Sequence, residues 1–222
     1  MARILITGAG RGVGRGLVET ALAAGHDVIG TTRGTGDLPP GAEHLPLDVA
    51  DPASQAAFAE ALSAQSLDWV ICNAGVLAGR GSLLNGDTGT PEEWRDTLMT
   101  NIAGVFWTVQ SVLPALRRSS QGKVAIISSQ LGSSTFAVGK NYSYHASKAA
   151  ALNLGLNMAT ELKTVGIAVG TYHPGWVKTE MGTARAEISV EESAAGLMDR
   201  ITALSLETTG CFETWDGRAH PI

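Results

Sequence analysis

Short apolar runs alternate with longer amphipathic stretches along almost the whole chain. The runs Arg3–Thr7, Asp27–Thr32, His44–Leu47, Leu67–Cys72, Lys123–Ser128 and Gly166–Tyr172 read as buried strands. Between them the pattern predicts helices near Gly14–Ala24, Pro52–Ala64, Pro91–Arg118, Ser143–Val165 and Val190–Leu204. Such alternation packs as a parallel sheet with helices on both faces. The expected fold is therefore α/β, a doubly wound parallel sheet. A length of 222 residues suits one core, so residues 1–222 are expected to form a single domain.

Local signals fix several helix ends. Asp51-Pro52 places a capping side chain before a proline in the first turn. Thr90-Pro91-Glu92-Glu93 and Ser189-Val190-Glu191-Glu192 carry capping boxes. Gly25 stands where a helix C-terminal glycine belongs. The loops Gly75–Gly89 and Pro174–Ile188 are long enough to suggest a functional role.

Composition excludes several function classes. Hydrophobic residues make up 44% and charged ones 17%, which is not the balance of a disordered chain. With 16 Lys and Arg against 21 Asp and Glu, the net charge is −5. That leaves no basic excess for a phosphate backbone, so no nucleic-acid partner is expected. Cys72 and Cys211 are far apart, and His26, His44, His145, His173 and His220 are scattered, so neither a disulfide framework nor a metal site is expected. The first residues run directly into a glycine-rich turn, with no long apolar stretch. No signal peptide or membrane span is expected, and the expected location is cytoplasmic. Glycine is over-represented, at 27 residues.

Those glycines concentrate after the first strand, in Thr7-Gly8-Ala9-Gly10-Arg11-Gly12-Val13-Gly14. Val13 breaks a GxGxxG pattern, but Gly8, Gly12 and Gly14 make the looser GxxxGxG. Glycines at a strand-to-helix junction let a pyrophosphate approach the free N–H groups of the helix start. A dinucleotide is the expected ligand; a tight turn without one is the plain alternative. An acid at the end of the second strand would grip an adenosine ribose, whereas an arginine accommodates a 2′-phosphate. Asp27 begins that strand and Arg33 follows it. Arg33 and Arg11 could flank the phosphate, which favours NADP(H) over NAD(H); solvated arginines are the alternative.

Further on, Tyr144 and Lys148 stand four residues apart at the start of a long helical stretch and so share one face. A phenol with an ordinary pKa near 10 is a poor base at neutral pH. A neighbouring ammonium would lower that value and suit proton exchange with a carbonyl oxygen. The same spacing also arises by chance.

Taken in order, Thr7–Gly14, Asn73-Ala74-Gly75, Ser128-Ser129, Tyr144 with Lys148, and Pro174-Gly175 resemble the short-chain dehydrogenase/reductase superfamily over essentially the entire chain. The endings His173–Gly182 and Gly210–Gly217 look more narrowly like its C-factor and sniffer-type carbonyl reductase branch. The resemblance implies a single Rossmann-type sheet and an oxidoreductase acting on a small carbonyl or alcohol. It assigns Tyr144 as general acid/base, Lys148 to the nicotinamide ribose, and Ser129 to the substrate oxygen, with Ser128 as fallback. Asn101 would support a water relay to the lysine; a solvated helix asparagine is the alternative. Around the cofactor it places Gly8, Gly10, Arg11, Gly12, Val13, Gly14 and Arg33. It adds Asp48 and Val49 at the adenine, Asn73, Ala74 and Gly75 on the ribose side, and Pro174, Gly175, Val177 and Thr179 near the nicotinamide. The substrate pocket would draw on Gly75–Gly89, Gly132–Asn141 and Pro174–Ile188.

The resemblance also implies a homodimer or homotetramer pairing through long helices, with Ala146, Ala149, Ala150, Ala151 and Gly155 permitting close approach. Departures are Cys72, where relatives often carry a further asparagine, a slightly longer Ser129–Tyr144 gap, and a short Gly182–Ser189 segment that implies an open pocket. Trp176 either covers the nicotinamide or simply packs. A cofactor-binding signalling protein with little turnover is the rival; loss of Tyr144 or Lys148 would mark it, and both are present.

Overall fold

The structure, a computed structural model, describes residues 1–34 and 36–222. Seven strands form one sheet: β1 (Arg3–Ile6), β2 (Asp27–Thr32), β3 (Glu43–Pro46), β4 (Trp69–Cys72), β5 (Lys123–Ile127), β6 (Ala168–His173) and β7 (Phe212–Thr214). Their order is β3-β2-β1-β4-β5-β6-β7, and every pairing is parallel. The chain winds one way from β1 to β3 and the other way from β4 onward. Between β1 and β4 lies the switch point where such sheets open a ligand crevice at their C-terminal ends. This is the expected α/β, doubly wound, Rossmann-type sheet.

Among the described residues, six α-helices cover it: α1 (Gly12–Ala23), α2 (Pro52–Ala61), α3 (Pro91–Leu98), α4 (Gly104–Leu116), α5 (Tyr142–Leu162) and α6 (Val190–Ala203). Strand alternation divides the core. Leu5, Ile29, Val70, Val124 and Val169 point to one face, against Phe58, Val112 and Met158 of α2, α4 and α5. Ile4, Ile6, Val28 and Ile71 point to the other, against Leu17, Val18 and Leu197 of α1 and α6. Each such fully buried aliphatic side chain contributes roughly 1.5–3 kcal/mol over its exposed state.

The helix starts carry the expected caps. Asp51 accepts from the amides of Ala53 and Ser54, and Thr90 and Ser189 each close a complete capping box. Gly25 takes φ 79, the left-handed conformation of a helix-terminal glycine.

Three expectations need correction. The stretch Pro91–Arg118 is not one regular helix: a π-helical turn over Met99–Ala103 separates α3 from α4. Strand β7 was not expected, because three residues are too short to show a period. Ala151 and Gly155 do not face outward. Ala151 lies in the core, and a Cβ on Gly155 would stand 2.5 Å from Thr171 Oγ1 on β6. Of the five small residues expected to face a partner, only Ala146, Ala149 and Ala150 keep exposure.

Among the described residues, no helix is long and apolar enough to cross a membrane, and no cluster of His, Cys, Asp and Glu could hold a metal. Both cysteines are free thiols, and burial pushes the Cys72 thiol up to about 12.

Candidate active site

The crevice begins at the glycine turn. Gly8 and Gly12 take φ 66 and 54, which side-chain-bearing residues rarely adopt. Thr7 fixes the turn to its neighbour: its hydroxyl accepts from the amides of Asn73 at 3.0 Å and Ala74 at 3.1 Å. Asn73 Nδ2 in turn donates to the carbonyls of Thr7 and Gly8 at 3.0 and 3.2 Å. A Cβ on Gly14 would run into the Gly8 carbonyl oxygen and stand 2.5 Å from Asn73 Nδ2.

Helix α1 starts differently from α2, α3 and α6. Its N-cap is Arg11, no side chain caps it, and its first turn holds no acid. Uncapped amides at a helix N-terminus attract an anion. Next to this turn, a Cβ on Gly75 would stand 3.3 Å from Asn101 Oδ1 and 3.6 Å from Lys148 Nζ. Open amides and positive-φ glycines fit a dinucleotide.

The remaining cofactor positions divide. Pro174 receives a 2.6 Å hydrogen bond from Ser193 on α6, Gly175 takes φ 86, and Val177 is buried. Thr179 lies against the glycine turn, 3.3 Å from where a Gly12 Cβ would be. Asp48 is half-buried and caps Ala50 N at 2.9 Å, whereas Val49 packs in the core against Gly104. Arg33 stands exposed just past β2. Arg11 does not stand free beside it. It forms an exposed ion pair with Glu180 in the loop after β6.

The second half of the crevice is buried. Asn101 is 1% exposed, which removes the solvated alternative. Its amide holds Val76 from both sides at 2.9 Å and donates to Ser147 Oγ at 2.9 Å; Ser147 then donates to the Tyr144 carbonyl at 2.8 Å. The π-helical turn carries Asn101 to this position, and such turns recur at functional sites. Lys148 Nζ donates to the Ile127 carbonyl at 2.9 Å and lies 5.5 Å from the Tyr144 ring centroid. The serines resolve as well. Ser128 donates back to the Lys148 carbonyl at 3.1 Å, whereas Ser129 stands beside the phenol.

The electrostatics run against one expectation. Burial pushes the Tyr144 phenol up to about 12; the Ser129 hydroxyl and the Arg80 charge oppose that rise only in part. Burial also brings the Lys148 ammonium down to about 8. Desolvation of both groups therefore outweighs the lowering of the phenol that their spacing alone suggests.

Adjacent to Ser129, a cleft of about 300 Å³ is lined by Gln130, His173, Trp176, Ile188, Trp215 and His220. It draws on the loop after β6 and on the end of β7, which was not expected, whereas the expected segments Gly75–Gly89 and Gly132–Asn141 do not line it. Trp176 is exposed on this cleft, and its Nε1 donates to the Gly182 carbonyl at 2.6 Å. His173 is buried and pushed down to about 4, so its imidazole is neutral at pH 7. Sequence reasoning missed Arg80, which lies in no motif, and Ser147, whose place between Tyr144 and Lys148 could have marked it.

Comparison with known proteins agrees with this geometry. Residues 2–188 match the family model for short chain dehydrogenases. A 3-oxoacyl-[acyl-carrier-protein] reductase of Escherichia coli is 32% identical over 208 residues, covering 90% of this chain and 81% of that protein. The NADPH-bound carbonyl reductase from chicken fatty liver superposes with a TM-score of 0.89 at 29% identity, covering 100% of this chain and 99% of that one. The carbonyl reductase Sniffer of D. melanogaster gives 0.91 at 25% identity, with both chains covered completely. The chain is an oxidoreductase of the short-chain dehydrogenase family, similar in structure to carbonyl reductases.

Proposed function

We propose that this enzyme reduces a small-molecule carbonyl, or oxidises the matching alcohol, with NADP(H) in preference to NAD(H). The observation that carries the reading is the buried chain Asn101–Ser147–Tyr144, with Ser129 and Lys148 beside it, opening onto the uncapped start of α1. The reduced nicotinamide, when bound, supplies the hydride. The glycine turn and Gly75 hold it, with Lys148 at its ribose and Pro174, Gly175, Val177 and Thr179 along the nicotinamide. Ser129 orients the substrate oxygen and Tyr144 gives that oxygen its proton. A phenol near 12 is fully protonated at pH 7, so the group is poised as an acid for reduction. Oxidation calls for the phenolate and is favoured as pH rises. The single-domain arrangement, the homodimer or homotetramer and the cytoplasmic location belong to the same reading.

Steady-state loss of reduced-nicotinamide absorbance against quinones, aldehydes and diketones tests it. Tyr144→Phe should lower kcat by at least about 100-fold, the usual scale of a positioned proton donor. Full activity in that variant removes the mechanism. Tight cofactor binding without turnover of any carbonyl favours the signalling rival instead.

Cofactor choice rests on Arg33, since Glu180 occupies Arg11. Arg33→Asp should weaken NADPH binding by roughly 10- to 100-fold, as expected for a lost charge-assisted contact. NADH binding should stay within a few fold. Equal losses on both nucleotides would show that Arg33 does not read the phosphate.

A further inference from the structure

The segment that follows Gly75 holds a fixed course. Asn101 grips Val76, Ser143 Oγ donates to the Ala78 carbonyl at 3.2 Å, and Asn141 N donates to the Gly81 carbonyl at 3.2 Å. These contacts lay residues 76–81 along the start of α5, beside Tyr144. They bring Arg80 to the opening of the site, where its Nη2 donates to the Met181 carbonyl at 3.1 Å. That contact bridges the loop after β4 to the loop after β6 and orients the guanidinium.

It also uses only one of five N–H donors. No carboxylate among the described residues pairs with Arg80. Glu180, one residue from Met181, is held by Arg11. A fixed guanidinium with free donors matches a carboxylate in two-point geometry.

The geometry points to Arg80 as the recognition group for a carboxylate carried close to the reacting carbonyl, so that the preferred substrates are oxo acids and their hydroxy-acid counterparts. The inference rests on the oxidoreductase reading above and narrows its substrate class. The anchors Ala78 and Gly81 are bonded by Ser143 and Asn141 at the start of α5, next to Tyr144, whereas Gly75 adjoins Lys148. That placement favours the substrate over the cofactor diphosphate as the anion.

Benzoylformate and its methyl ester present the same ketone with and without the charge. Wild-type kcat/KM should favour the acid by at least about tenfold, the scale of a hydrogen-bonded charge. Arg80→Met should lower kcat/KM for the acid by roughly 10- to 100-fold. The ester should lose clearly less than the acid, its share being only what the Arg80 charge does at the Tyr144 phenol; the KM for NADPH should stay unchanged, and Arg80→Lys should restore part of the loss. Equal losses on acid and ester would show a loop staple only, and a loss confined to NADPH would show a diphosphate contact; either overturns the inference, as does a wild-type preference for the ester. Calorimetric titration of the NADP⁺-loaded protein with mandelate separates the two readings. Arg80-dependent mandelate binding without turnover of any carbonyl keeps the carboxylate site and removes the oxidoreductase reading. Turnover of the ester with no Arg80-dependent mandelate binding does the reverse.

Discussion

The glycine turn at the head of α1 and the start of α5 border one crevice, yet they are built on opposite terms. The turn is made of backbone: positive-φ glycines, uncapped amides and the Asn73 clasp between two strands. What it needs is room. The start of α5 is made of side chains, with Tyr144 8% and Lys148 5% exposed, and what it needs is control of charge in a dry setting. One region should therefore fail when a single carbon is added. The other should fail when its ionisable groups are altered, even if the protein folds as well as before.

The largest effect is expected in the turn. Gly14→Ala puts a methyl group against the Gly8 carbonyl and Asn73. Overpacking of this kind costs about 1–3 kcal/mol. Urea denaturation should show that loss, and nucleotide titration should show that cofactor binding is abolished. Unchanged binding would mean that the turn is not shaped by room.

Lys148→Met sharpens the contrast from the other side. It should abolish turnover while stability at pH 7 holds or gains up to about 2 kcal/mol, because a desolvated charge is removed. The pH dependence checks the cause. Burial brings the ammonium down to about 8 in the folded protein, from the ordinary 10.5 it has when unfolded. Between those values the unfolded chain binds more protons, so this group makes stability rise with pH across that window. Below about pH 8 the full penalty is present. Urea midpoints from pH 7 to 10 should climb in the wild type relative to Lys148→Met. Parallel curves would show that burial does not set the lysine's titration.

The smallest effects belong to helix starts outside the crevice. Thr90→Ala and Ser189→Ala should each cost about 1 kcal/mol of stability through a lost cap. Neither should change cofactor affinity. A tenfold loss of affinity in either variant would blur the distinction between capped starts and the open one at α1.

How far each region was legible in the sequence follows from the same difference. Glycine spacing, apolar runs and capping boxes act locally, so β1 to β6, the turn and the starts of α2, α3 and α6 could be read from neighbouring residues. Tyr144 and Lys148 could be placed on one helix face from their spacing, but spacing carries no information about solvent. The direction of the phenol's shift depends on what covers it, and only the packed structure shows that. Arg80 and Glu180 escaped for a related reason: their partners, Met181 and Arg11, are 101 and 169 residues away in the chain. β7 was too short to show a pattern, and nothing in Met99–Ala103 announced a change of helical pitch.

That change of pitch makes α3 and α4 a pair whose phase is set by a single inserted residue. An α-helix advances about 100° per residue. Deleting one residue within Met99–Ala103 would restore a regular ladder of hydrogen bonds and, in doing so, turn the preceding helix by about that angle. Thr97, fully buried on α3, would then swing toward solvent, and the asparagine clamp on Val76 would lose its register. In this helix, then, length behaves as an angular setting, and a gap that a surface loop would absorb would here misalign one wall of the crevice.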